Sequence, residues 1–296
     1  MKRSTLSLAL VLVLAACGGQ PPSAPAEPVA PEPPPPPAMQ EAPTASALEQ
    51  AIAGDWRTPE FVARDAHRHP QETLAFFGID ADSRVVEITP GGGWYAEILA
   101  PLVRESGRYI GAVIDENAVD NERSKAYYAR TNQALRDKFA AAPEVFGAAE
   151  LVGVDPLAPV FAEPGSVDAV LTFRNVHNWL GTAGQAEAMF AGFFAALEPG
   201  GVLGVVEHRA AGELPDGDRS GYVSEARVIA LAEAAGFVLD ASSEINANPA
   251  DSKDHPNGVW TLPPSLNVPE GEDAEKYRAI GESDRMTLRF RKPAEG

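Results

Sequence analysis

The sequence predicts an α/β domain built on a largely parallel sheet, and three observations predict it. Short β-branched runs alternate with segments whose apolar residues recur at helical spacing. The first such run passes through three consecutive glycines straight into a helical pattern. The second run ends in Asp115, about 22 residues beyond Gly93, where a parallel α/β sheet sets a carboxylate against a ribose diol.

The first unit is VVEITPGGGWYAEILA, residues 85–100. Val85, Val86 and Ile88 read as a buried strand, Thr89 to Gly93 as a turn, and Trp94, Ile98 and Leu102 as one stripe of a helix starting at Trp94. Gly91, Gly92 and Gly93 carry no Cβ and tolerate positive φ, so a ligand can touch the backbone, and the helix start adds unpaired N–H groups. Gly91, Gly93 and Ala96 also satisfy the G-x-G-x-x-A form of a dinucleotide loop. Glu87, four residues before Gly91, would repel a pyrophosphate and suits a cationic amine or sulfonium.

Before this unit, residues 45–78 predict two or three short helices, with Pro59 and Pro70 in first turns and Phe61, Leu74, Phe76 and Phe77 as anchors. Arg64, Asp65, His67, Arg68 and His69 crowd together between them, either as a solvated helix end or as a lid over a pocket. The two histidines do not share a helical face. After the first unit, residues 108–114 read as strand two and about 121–141 as a helix. Residues 150–154 make strand three, followed by Asp155, which either caps a turn or approaches a ligand.

Residues 168–173 form strand four, and Arg174, Asn175, His177 and Asn178 lie beyond its carboxyl end, the edge at which open α/β sheets bind ligands. A helix over about 183–197 stops at Pro199-Gly200-Gly201, and 202–208 is strand five, ending in Glu207-His208. Ser224 caps a helix that runs to Ala235, and Gly236 ends it before the strand FVLDASSEI. The closing strand, DRMTLRFRK, alternates Met286, Leu288 and Phe290 with Thr287, Arg289 and Arg291, so it predicts a half-exposed antiparallel strand near the sheet edge. Residues 248–265, rich in Pro and Asn, are long for a connection and could form a substrate lid.

Composition narrows the partners. With 24 Lys+Arg against 42 Asp+Glu the chain carries a formal charge of -18, which disfavours nucleic acid. No metal-ligand spacing stands out among five histidines and one cysteine, so no metal is expected, nor any protein partner. Lys2 and Arg3 precede an apolar run, Leu6 to Ala16, that ends in Leu14-Ala15-Ala16-Cys17. This resembles the lipobox of bacterial lipoproteins, which implies that Cys17 becomes a lipid-modified N-terminus and that the domain faces the periplasm of a bacterial cell envelope. Residues 18–44, with five consecutive prolines from Pro33, predict an extended tether, leaving 45–296 as the folded domain.

The pieces together resemble a class I S-adenosylmethionine-dependent methyltransferase. The resemblance is carried by VVEITPGGGW, GAVID, SVDAVLTFRNVHNW and ALEPGGVLGVVEH in that order. Within that superfamily, ARDAHRHPQETLAFFG and GESDRMTLRFRKP are similar to predicted methyltransferases of bacterial cell envelopes. The resemblance implies a Rossmann-like seven-stranded sheet of order 3-2-1-4-5-7-6 with strand 7 antiparallel, and S-adenosyl-L-methionine as cofactor. It implies Glu87 at the methionine amino end, Gly91 and Gly93 along the methionyl and ribose region, Asp115 on the ribose hydroxyls and Asp155 at the adenine, with Arg174 and Asn175 also on the cofactor. His177 and His208 are the candidate catalytic bases, since imidazole titrates near neutral pH. The implied reaction is methyl transfer to a small-molecule or lipid-associated acceptor. Where the family loop has its first glycine this chain has Thr89, followed by Pro90, which predicts a changed seat for the methionine carboxylate. That departure, with the exported location, also motivates the alternative of a non-catalytic nucleoside- or S-adenosylmethionine-binding envelope lipoprotein.

Overall fold

Successive residues of the central strands face two different apolar cores, and this alternation explains the layers. The computed structural model describes residues 45–294. Val85, Tyr109, Val113, Leu171 and Phe173 point to one face of the sheet, whereas Val86, Ile110, Ile114, Val170 and Val205 point to the other. Both faces are covered, so these strands are apolar throughout.

Seven strands form the sheet: β1 (Arg84–Ile88), β2 (Arg108–Ile114), β3 (Glu150–Val154), β4 (Val167–Phe173), β5 (Leu197–His208), β6 (Val238–Ser243) and β7 (Arg285–Arg291). Their spatial order is β3-β2-β1-β4-β5-β7-β6. The pairs among β1 to β5 are parallel, and β7 runs antiparallel to both β5 and β6. Order and reversal are those expected.

Four short helices open the domain, α1 (Ala47–Ile52), α2 (Pro59–Val62), α3 (Asp65–Arg68) and α4 (Pro70–Phe77), where two or three were expected. The break between α3 and α4 is His69, whose φ of 42° lies in the left-handed region, so the chain turns and restarts at Pro70. Helix α5 (Ala96–Leu102) starts two residues later than its apolar stripe suggests. Trp94 is drawn into the preceding turn, where its indole N–H donates to the Phe61 carbonyl at 2.8 Å. Between the remaining strands lie α6 (Glu122–Ala141), α7 (Pro143–Phe146), α8 (Val176–Trp179), α9 (Gln185–Ala196), α10 (Glu225–Ala234) and α11 (Ala274–Ile280). Ser224 caps α10 by accepting from the Arg227 amide at 3.1 Å.

Two strand readings need correction. β5 begins at Leu197 rather than at residue 202, because the Pro199-Gly200-Gly201 stretch is an irregularity within the strand instead of a stop before it. β7 is not half-exposed along its length: Arg285 and Thr287 are buried, because α4 and the segment after β6 cover their face. The Asn246 amide donates to Thr73 Oγ1 and Thr287 Oγ1, both at 3.0 Å, across that cover.

The lipobox with Cys17 and the proline-rich tether fall outside the described residues. No helix among the described residues is long and apolar enough to cross a membrane.

Candidate active site

Parallel strands deliver their carboxyl ends to one edge of the sheet, and β7, being reversed, delivers its start to the same edge. A cleft of about 680 Å³ opens there. Thr89 to Gly92 form one wall, Phe173 to Asn175 with His177 and Asn178 another, and His208, Glu282 and Ser283 the floor between β5 and β7. Phe61, Arg64 and Arg68 from the opening helices close one side, and Tyr127 and Tyr128 of α6 the other. Val259, Trp260 and Pro263 to Ser265 lie across the cleft, so the long Pro- and Asn-rich segment stands where a lid would. Trp260 keeps 38% of its surface exposed there.

The loop after β1 keeps a glycine-like backbone. Thr89, Gly91 and Gly93 have φ of 48°, 59° and 89°. The Thr89 amide donates to the Ala112 carbonyl at 2.8 Å, which pins the turn to β2. A non-glycine residue held there costs about 1–2 kcal/mol, and Thr89 bears that cost. Its buried Oγ1 has no hydrogen-bond partner although the residue lines the cleft. At Gly91 a Cβ would meet nothing within 4 Å, so its backbone is open to a ligand. At Gly93 a Cβ would meet Leu135 Cδ1 at 2.9 Å; this glycine permits α6 to pack and does not line the cleft.

Of the residues the sequence singled out, Gly91, Arg174, Asn175, His177 and His208 come together at the cleft. Glu87, Asp115 and Asp155 do not line it. Glu87 is buried beneath the loop and accepts from the Tyr109 hydroxyl at 2.7 Å. Burial pushes its carboxyl up to about 7, opposed by that hydrogen bond and by the charge of Arg174. Asp115 accepts from the Asn117 amide at 2.9 Å and Asp155 from the Leu157 amide at 2.9 Å, each starting a turn. Asn175 donates to the Ile88 carbonyl at 2.9 Å, tying the β4 end to the β1 end.

Glu207, given no role from the sequence, organises the two imidazoles. It is fully buried, accepts from the His208 amide at 2.8 Å and lies 3.1 Å from His177 Nδ1. With the Nδ1 proton on the Glu207 side, Nε2 of His177 is left with its lone pair. His208 Nδ1 contacts Ser283 Oγ at 2.5 Å. Burial, then the charges of His177, Arg174, Arg285 and Arg68, hold His208 well below the usual imidazole range, so it is neutral at neutral pH. Potential ligand atoms of His177, Glu207 and His208 all lie within 4.8 Å of one another, a juxtaposition the residue spacing could not reveal because β4 and β5 contribute separately.

A cationic wall was also missed. Glu282 accepts from Arg64 at 2.7 Å, and from Arg68 and Arg285 at 3.1 Å each. Burial would raise the Glu282 carboxyl, but the charges of Arg68, Arg285, Arg64 and Arg174 outweigh it and hold it at about 2. One carboxylate cannot serve so many guanidinium groups: Arg64 Nη2, Arg68 Nη2 and Arg285 Nε are buried without partners. Arg68 also stacks over Trp94, 4.8 Å from the ring centroid. Arg174 sits at φ 61° and its side chain makes no hydrogen bond or ion pair among the described residues. Its guanidinium is pulled down to about 10, chiefly by burial.

No protein-family model and no curated protein matches the chain. Solved structures do share its fold. The (4+2)-cyclase SpnF is 16% identical, with 86% of this chain and 99% of that chain covered at a TM-score of 0.53. An S-adenosylmethionine-dependent methyltransferase from Aquifex aeolicus is 14% identical over 78% of this chain and 93% of its own, with a TM-score of 0.49. The glycopeptide N-methyltransferase MtfA is 15% identical over 80% and 100% of the two chains, with a TM-score of 0.48. At 16% identity the likeness to SpnF is one of fold alone, so the reaction has to be argued from the cleft.

Proposed function

We propose that the chain is an S-adenosylmethionine-dependent methyltransferase whose acceptor loses a proton to His177. The observation that carries this reading is the pairing, across one cleft, of an open glycine backbone after β1 with an imidazole oriented by a buried carboxylate.

The residues present fit the amino-acid end of the cofactor. Thr89 Oγ1 is a buried polar atom without a partner, Gly91 leaves free space at its backbone, and Asn175 joins the two strand ends beside them. When bound, S-adenosylmethionine supplies an electrophilic methyl group on a sulfonium. Thr89, Gly91 and Asn175 would hold it. Glu207 fixes the His177 ring so that Nε2 accepts the acceptor's proton. Neutral His208, held by Ser283, orients the nucleophile without adding charge. Trp260 and the segment around it exclude water from the transfer.

We further propose that Cys17 carries a lipid and that the domain works on the periplasmic side of a bacterial envelope, on a small or lipid-associated acceptor. The Leu14-Ala15-Ala16-Cys17 sequence and the proline-rich stretch after it support this. Cys17→Ser would then move the protein from the membrane to the soluble fraction of a cell lysate; unchanged fractionation would refute the anchor.

Transfer of a labelled methyl group from S-adenosylmethionine into an envelope extract tests the activity. Incorporation by the wild-type chain, lost in His177→Ala, is expected. Absence of incorporation with retained cofactor binding would favour the non-catalytic reading instead.

A further inference from the structure

The wall formed by Arg64, Arg68 and Arg174 has no use in the fold that its chemistry demands. Arg64 and Arg68 share Glu282 with Arg285, and each still has a buried Nη2 without an acceptor. Arg174 has no acceptor among the described residues, and it is held in a backbone conformation that asparagine or glycine would take more readily. A strained, unpaired guanidinium that opens onto a cleft costs the fold energy with no contact in return. Residues kept in that condition at a cleft mark ligand contacts. Four guanidinium groups around one carboxylate leave the wall with three uncompensated positive charges. The single carboxylate of the cofactor would neutralise one of them.

We infer that the methyl acceptor carries a doubly charged oxyanion of the phosphate-monoester kind, received by Arg174 with the unneutralised charges of Arg64 and Arg68 behind it. Planar guanidinium forks suit such an oxyanion, because several N–H donors converge on its oxygens. The chain as a whole is strongly acidic, so this wall is a local reversal of sign and selects an anion at that spot only. Arg174, which the resemblance placed on the cofactor, is thereby assigned to the acceptor. The sequence gives Arg174 as a member of a polar cluster but cannot show that it lacks a partner. The inference rests on the methyltransferase reading only for the word acceptor.

Titration of the full chain with inorganic phosphate, followed by thermal shift and calorimetry, tests it. Phosphate should bind, bind equally well when S-adenosylhomocysteine saturates the protein, and bind about tenfold or more weakly to Arg174→Gln. Acetate should give a smaller response than phosphate. Because the Arg174 side chain has no partner among the described residues, Arg174→Gln should keep the far-ultraviolet spectrum of the wild type and melt no lower, which separates lost binding from lost folding. Arg174→Lys should bind phosphate with intermediate strength. Phosphate binding abolished by S-adenosylhomocysteine would overturn the inference, since the arginines would then hold the cofactor's own carboxylate. An equal phosphate response in wild type and Arg174→Gln would overturn it too, and so would the absence of any response at millimolar phosphate. Arg174-dependent phosphate binding in a chain that ignores S-adenosylhomocysteine would uphold the anion site and defeat the methyltransferase reading alone.

Discussion

Glu87, buried beneath the loop, ties the stability of the fold to pH. Its folded value of about 7 lies above the 4.5 of an ordinary glutamate, so the folded state holds the proton more tightly than the unfolded state does. Stability is therefore greatest below the unfolded value and falls as pH rises through the folded one, by about 3 kcal/mol at most. Urea denaturation between pH 5 and 8 should show this decline, and Glu87→Gln should flatten it. A profile unchanged by the substitution would place the dependence elsewhere. Glu207 predicts a different kind of loss. Glu207→Gln keeps the shape of the group but not its charge, so kcat should fall about a hundredfold while cofactor affinity is kept. Arg174→Gly should do the opposite to the fold: with the backbone strain removed, the protein gains about 1 kcal/mol in chemical denaturation. At this scale the sequence was partly legible. Gly91, Asn175, His177 and His208 could be placed by their position past strand ends, because that edge is where α/β sheets bind ligands. The inward turn of Glu87 could not, since the hydroxyl it meets belongs to Tyr109, 22 residues away on the neighbouring strand.

Elements were the most legible level. β2 and β3 have the limits their apolar runs gave, and α6 follows its Asn121 cap, whose side chain accepts from the Ser124 amide at 3.0 Å. The short opening helices were harder, because tertiary bonds rather than periodicity hold them. Glu97, buried on α5, accepts from the Thr58 amide at 2.8 Å and from the Lys138 ammonium at 2.6 Å. The Trp56 indole donates to the Glu97 carbonyl at 2.9 Å. This clamp seats the Phe61 side of the cleft on α5 and α6. Glu97→Ala should lower stability by about 2 kcal/mol, and limited proteolysis should cut first between residues 53 and 64. Equal protection of that segment in the variant would contradict the clamp. The reversal of β7 was foreseen from its alternation. Its consequence, that Glu282 and Ser283 enter the cleft, follows only once β7 is seen between β5 and β6, with Arg285 opposite His208.

For the whole molecule, the sheet order and the cleft at the carboxyl edge are independent of the loop departure at Thr89-Pro90. Thr89 itself takes the left-handed turn that a glycine would take more readily, so the loop stays open toward the cleft. The resulting site brings together an open glycine loop, an imidazole backed by a buried carboxylate, and a positive wall. An adenosyl sulfur compound seated against Gly91 is the ligand proposed for this cleft. Calorimetric titration of the full chain with S-adenosylhomocysteine, beside Gly91→Val, tests it most directly. Saturable one-to-one binding by the wild type, lost in a variant that melts lower from the strain of valine at positive φ but is still folded at the titration temperature, is the expected result; no heat at millimolar ligand, or equal binding by both folded proteins, would contradict it.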